Sequence, residues 1–113
     1  MKKQKITARQ GDVWLRQIDR LPAGAKEVKI KNGKIVLAWG ELTGHHHRID
    51  VAEGEAREFS LASAHAAVRR FLKVVSEATV RHEEHAPIPL PSGVYEIVIQ
   101  REYAPDAIRT VAD

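Results

Sequence analysis

The sequence predicts an all-β chain, a small single-domain β-barrel or sandwich with at most one short helix. Three observations lead there. Roughly seven or eight short runs alternate apolar and polar residues, turn signals recur about every eight to twelve residues, and one stretch alone has helix-forming composition. Each element follows from its residues.

Gln10-Gly11-Asp12 reads as a turn into a strand over Val13–Ile18, with Val13 and Leu15 facing one way and Trp14, Arg16 and Ile18 the other. Arg20-Leu21-Pro22-Ala23-Gly24 breaks the chain, because Pro22 lacks a donor and Gly24 permits a left-handed residue. Glu27–Lys31 alternates again and runs into Asn32-Gly33, the pair favoured by a type I′ hairpin turn. The returning strand, Lys34–Trp39, is almost continuously apolar, which suggests burial on both faces or a place in the middle of a sheet. Trp14 and Trp39 are most simply core residues.

Arg48–Val51 and Ala56–Leu61 are further strand candidates, with a turn at Glu53-Gly54. Ser60–Arg70 is the helix candidate, since Ala62, Ala64, Ala66 and Ala67 favour helix and Ser60 or Ser63 could cap it; His65 lies alone within it. Phe71–Val75 and Ala78–His82 read as strands joined by Ser76-Glu77. Ala86–Gly93 carries Pro87, Pro89 and Pro91, so it cannot pair as a central strand and is expected to cross the molecule extended. Val94–Tyr103 is the longest strand, stopped by Pro105, after which residues 105–111 could wind one turn of helix.

The chain has 113 residues, 43% hydrophobic and 29% charged, which fits one ordinary globular domain. No apolar run is long enough to span a membrane, and the basic N-terminus has no apolar segment behind it, so no membrane association and a cytoplasmic location are expected. Residues 1–10 form a flexible basic arm with Lys2, Lys3, Lys5 and Arg9, and residues 11–113 the β domain. The net charge of +3 allows nucleic-acid contact without favouring it, a solubilising terminus being the commoner role of such an arm. Exposed sheet edges allow a homodimer. With no cysteine, disulfides and thiolate metal sites are excluded and His, Asp and Glu remain as strong ligands.

Five of the six histidines fall in two short clusters, His45-His46-His47 and His82-Glu83-Glu84-His85. Neutral imidazole is the commonest protein ligand for a transition metal. On a strand, His45 and His47 share one face, as do His82 and Glu84. An extended backbone therefore offers His45, His47, His82 and Glu84. A curl after His82 would bring His85 inward and leave Glu84 as a supporting partner or general base. Either set suits a divalent transition metal, Zn, Fe, Mn or Ni, with positions left for water or a small-molecule substrate. Arg101 is a candidate anion clamp, and Glu84 with Arg101 form the candidate catalytic pair. The bland alternative is a set of polar histidines around a loop or cleft. No Ser-His-Asp order or glycine-rich phosphate loop is present.

Gly44-His45-His46-His47, an acidic and glycine stretch, and a proline-glycine turn into a long strand together resemble the cupin arrangement. That resemblance implies a β-barrel with a His-X-His pair, a glutamate and a later histidine on one metal. The chain departs from it, because only Asp50 and Glu53 approximate the glutamate, and Pro91-Ser92-Gly93 is followed by Val94-Tyr95-Glu96 with no histidine. The stretches Gly40–His45, His82–His85 with Pro89-Leu90-Pro91 and Gly93, and Gln100–Tyr103 are similar to those of a group of small bacterial and phage-encoded proteins. That similarity covers most of the chain and implies no activity.

Overall fold

Ten strands and no helix form among the described residues of this computed structural model, which are 5–39, 45–51, 56–64 and 67–100. They are β1 (Thr7–Gln10), β2 (Val13–Ile18), β3 (Lys26–Val28), β4 (Lys34–Trp39), β5 (His46–Asp50), β6 (Ala56–Leu61), β7 (Arg69–Val74), β8 (Ala78–Arg81), β9 (Ile88–Leu90) and β10 (Gly93–Ile99). A six-stranded sheet runs β1-β2-β10-β7-β6-β3 and a four-stranded sheet β4-β5-β8-β9. Neighbours within both sheets are antiparallel. The sheets do not close into a barrel; the sandwich alternative is the one that forms.

The core lies between the sheets, because alternation gives each strand one apolar face. Val13, Leu15, Leu72, Val74, Tyr95 and Ile97 come from the larger sheet, and Ile35, Leu37, Ile49, Val80 and Leu90 from the smaller. Tyr95 is fully buried, and its hydroxyl donates to the Pro91 carbonyl at 2.8 Å, so its polar end is satisfied.

Several expectations change. Asn32 and Gly33 do adopt positive φ, 56° and 65°, as a type I′ turn requires. The hairpin nevertheless ends after the single bridge Lys31↔Lys34, because β3 pairs β6 and β4 pairs β5. The two arms diverge to serve opposite sheets, and Ile30 packs against the core between them. β4 is a sheet edge rather than a middle strand. Its apolarity is explained by cover: Arg70 reaches over from β7 and donates to the Val36 and Leu37 carbonyls, both at 2.7 Å, while its Nε donates to Glu58 at 2.9 Å.

The helix expected over Ser60–Arg70 does not form in the described residues. Ser60 and Leu61 end β6, Arg69 and Arg70 begin β7, and the ladder Leu61↔Arg69 and Ser60↔Arg70 outweighs the weak propensity of the alanines between them. His65 lies outside the described residues. Part of the expected arm is strand, since Thr7–Gln10 pairs with Val13–Arg16 and buries Gln10; residues 1–4 lie outside the described residues. The proline segment yields the short edge strand β9, where Pro89 sits opposite Thr79 with no partner strand beyond. The turn expected at 53–54 and the terminal helical turn at 105–111 also lie outside the described residues. No helix of the described residues is long and apolar enough to cross a membrane.

Candidate metal centre

Three segments converge: the β1–β2 turn, the start of β5, and the bend after β8. In β5 the alternation buries His47 and Ile49 and leaves His46 and Arg48 half-buried. His82 immediately follows β8 and is buried, but the ladder has ended, and residues 83–85 bend. The bend is closed locally by the Glu84 amide, which donates to His82 Nδ1 at 3.0 Å. It turns His85 inward and separates Glu84 from His82, so the extended arrangement of His82 and Glu84 on one face does not occur.

One ligand nitrogen from each of His47, His82 and His85 lies within 4.8 Å of the other two, and this triad could hold a metal ion. The His47 and His82 ring centroids are 4.3 Å apart, and those of His82 and His85 4.7 Å. His45 stands outside the triad, with its ring centroid 5.8 Å from that of His82 and its Nδ1 2.7 Å from Glu84 Oε1. Glu83 faces the other way and accepts from the His46 amide at 3.1 Å and from Arg48 at 3.0 Å. Its own amide, the His46 amide and Arg48 hold its carboxyl down to about 2. Arg101 lies outside the described residues.

His82 Nε2 is buried and has no hydrogen-bond partner among the described residues. Because Nδ1 accepts the Glu84 amide, the neutral ring carries its proton on Nε2, and an unsatisfied buried donor costs about 1–3 kcal/mol. Burial, and then the neighbouring His85, push the His82 pKa below the ordinary imidazole value. The neutral ring is the form that ligates metals. Ligation through Nε2 requires the proton on Nδ1, which then no longer accepts from the Glu84 amide.

Two residues outside the histidine clusters complete the surroundings. Gly11, at φ +57°, opens the two-residue β1–β2 turn, where a type II′ turn places glycine. A Cβ there would stand 3.1 Å from His47 Cε1, 3.1 Å from His85 Nε2 and 3.3 Å from His47 Nε2. The bare glycine leaves that space to the rings. Gln10 bonds His47 Nδ1 through its Oε1 at 2.8 Å. Sequence reasoning placed both residues in an arm and a turn. The only local signal was a glycine at a hairpin corner, and nothing in sequence ties Gln10 to a histidine thirty-seven positions away.

A family model described as a domain of unknown function, DUF8820, matches residues 9–100. That span takes in Gln10, Gly11 and both histidine clusters and stops short of Arg101. No curated protein and no solved structure matches the chain.

Proposed function

We propose that this chain, which belongs to the DUF8820 family, binds a divalent transition metal through His47, His82 and His85 and uses it to activate water against a small substrate. The observation that carries the reading is His82 Nε2, a buried nitrogen with no hydrogen-bond partner among the described residues, beside two further imidazoles in ligand range. A polar cleft without a metal would be expected to satisfy that atom with a side chain or carbonyl.

Three neutral imidazoles suit Zn, Fe, Mn or Ni and leave coordination positions open. A divalent ion held by these residues would lower the pKa of bound water toward neutrality. The chain's own contribution is a proton acceptor at the rim, the Glu84 carboxylate oriented by His45 Nδ1 at 2.7 Å. The test is elemental mass spectrometry on tag-free protein purified without a nickel column, comparing wild type with His47→Ala and His82→Ala. Near-stoichiometric metal that both substitutions abolish is the expected result. No metal as isolated, and none retained after adding Zn, Fe, Mn or Ni, overturns the reading.

A second reading rests on the outer face of the six-stranded sheet. Register places Arg9, Arg16, Arg57, Arg69 and Lys73 on this face with the acids Glu27 and Glu96. Arg9 lies 4.9 Å over the Trp14 ring. A cationic, partly aromatic face suits single-stranded nucleic acid. Salt-dependent binding of an oligonucleotide, weakened by Arg57→Glu with Lys73→Glu, supports it. Binding that the double substitution leaves unchanged refutes it.

A further inference from the structure

We infer that Gln10 is a positioning residue for the metal centre, fixing which nitrogen of His47 faces a metal. The inference rests on the metal reading above and deepens it.

The argument is a chain of donors and acceptors. Gln10 is buried, and its side-chain nitrogen donates to two backbone carbonyls, Val80 O at 3.1 Å and Ala86 O at 2.9 Å. Both amide hydrogens are thereby used, and the orientation of the amide group is set. Its Oε1 must then be the atom that faces His47 Nδ1 at 2.8 Å. A carbonyl oxygen only accepts, so Nδ1 carries the hydrogen. In a neutral imidazole the lone pair is then on Nε2, the atom that borders Gly11 beside His85 Nε2. Two main-chain carbonyls thus orient one amide, the amide selects one tautomer, and the tautomer presents a ligand nitrogen to the triad. A carboxamide here does for His47 what a carbonyl or carboxylate does for metal-bound histidines in general.

A purely structural Gln10, tying β1 to the chain after β8, predicts something different. It would lose stability on substitution without altering His47. The two roles separate in Gln10→Met, which keeps the length of the side chain but removes acceptor and donors, and Gln10→Glu, which keeps an acceptor for Nδ1–H and loses both donors.

The experiment reads the His47 tautomer by long-range nitrogen–proton NMR in metal-free protein, and zinc affinity by competition with a chromophoric chelator. Wild type is expected to show His47 protonated at Nδ1. Gln10→Met should lose that single tautomer and bind zinc about 10- to 100-fold more weakly. Gln10→Glu should keep the tautomer and stay within about tenfold of wild-type affinity, although it loses two hydrogen bonds. His47 protonated at Nε2 in wild type overturns the inference, as does a Gln10→Met protein with the Nδ1–H tautomer and unchanged affinity. If Gln10→Met does not fold, the wild-type tautomer and the Gln10→Glu affinity decide. Wild type that binds no zinc and none of the other three metals overturns the metal reading itself, while the tautomer measurement still decides whether Gln10 sets His47.

Discussion

Gly11→Ala and Gly33→Ala form a matched pair, because both glycines sit at hairpin corners with positive φ, +57° and +65°, but meet different surroundings. An L-residue in the left-handed region costs about 1–2 kcal/mol, so backbone strain alone should destabilise both variants to a similar degree. For a chain of 113 residues that corresponds to a fall in Tm of about 4–8 °C. At Gly33 the new methyl finds, among the described residues, only the Val51 carbonyl at 3.6 Å, an ordinary contact. At Gly11 it lies 3.1 Å from His47 Cε1 and 3.1 Å from His85 Nε2, so both rings must give by a few tenths of an ångström.

His47 is a buried ring held by Gln10, and the displacement therefore falls on the triad's geometry rather than on solvent. Metal affinity of Gly11→Ala should drop by about 10- to 100-fold, the range for a ligand ring that loses its orientation, while Gly33→Ala keeps wild-type affinity. Chelator-competition titration measures the affinities and thermal unfolding the strain. Equal metal affinity in the two variants, with equal losses of Tm, would refute the assignment of Gly11 as a wall of the site.

Other substitutions test the frame and the site separately. Arg70→Met removes the hydrogen bonds to Val36 O, Leu37 O and Glu58 and should cost about 1.5–3 kcal/mol in urea unfolding, the range for hydrogen bonds to a charged group; a loss below about 1 kcal/mol would contradict the bridging role. The hydrogen bond from Arg69, followed by that from Arg16, holds the Glu96 carboxyl below the ordinary carboxylate range. Its stabilisation is therefore present above the unfolded carboxylate pKa of about 4.3 and is lost as pH falls through the lower folded value. Glu96→Gln should flatten the decline of Tm below about pH 4.5, and an unchanged slope would count against the ion-pair account. His45→Ala should keep its metal where His85→Ala loses it, as elemental content will show; the reverse would move His45 into the ligand set. Zinc at about a hundred times its Kd should raise the stability of wild type by about 2.7 kcal/mol and leave His82→Ala unmoved.

The fold was legible where one face of a strand is apolar and the other polar. Val13 and Leu15 in β2 alternate as their burial does, and Tyr95 and Ile97 in β10 are buried as expected, although Glu96 between them is buried as well. Strand partnership was not legible, because Asn32-Gly33 encodes a turn and not the strands beyond it. The core decides those, and it sends β3 and β4 to different sheets. The alanines of residues 60–70 misled for a related reason: helix propensity amounts to tenths of a kcal/mol per residue, and cross-strand pairing of Leu61 with Arg69 overrides it. The two histidine clusters were visible as composition. The choice between Glu84 and His85 was not, because the bend at residues 83–85 ends the extended backbone after His82, and no alternation rule encodes it.

The position of the centre between the sheets bears on what a metal would do to folding. Gln10 belongs to the six-stranded sheet, while His47 and Val80 belong to the four-stranded one, and Gln10 bonds both. The His47 tautomer is consequently fixed only when the sandwich has closed. In the unfolded chain His45-His46-His47 still offers three adjacent imidazoles and would bind metal weakly, which subtracts from the stabilisation measured. What the folded chain adds is preorganisation: one amide orientation, one tautomer, and a glycine that leaves the rings their space. Metal affinity and sheet packing should therefore fall together in Gln10→Met, which removes acceptor and donors at once, and separate in Gly33→Ala, whose added methyl meets the Val51 carbonyl rather than a ring of the triad.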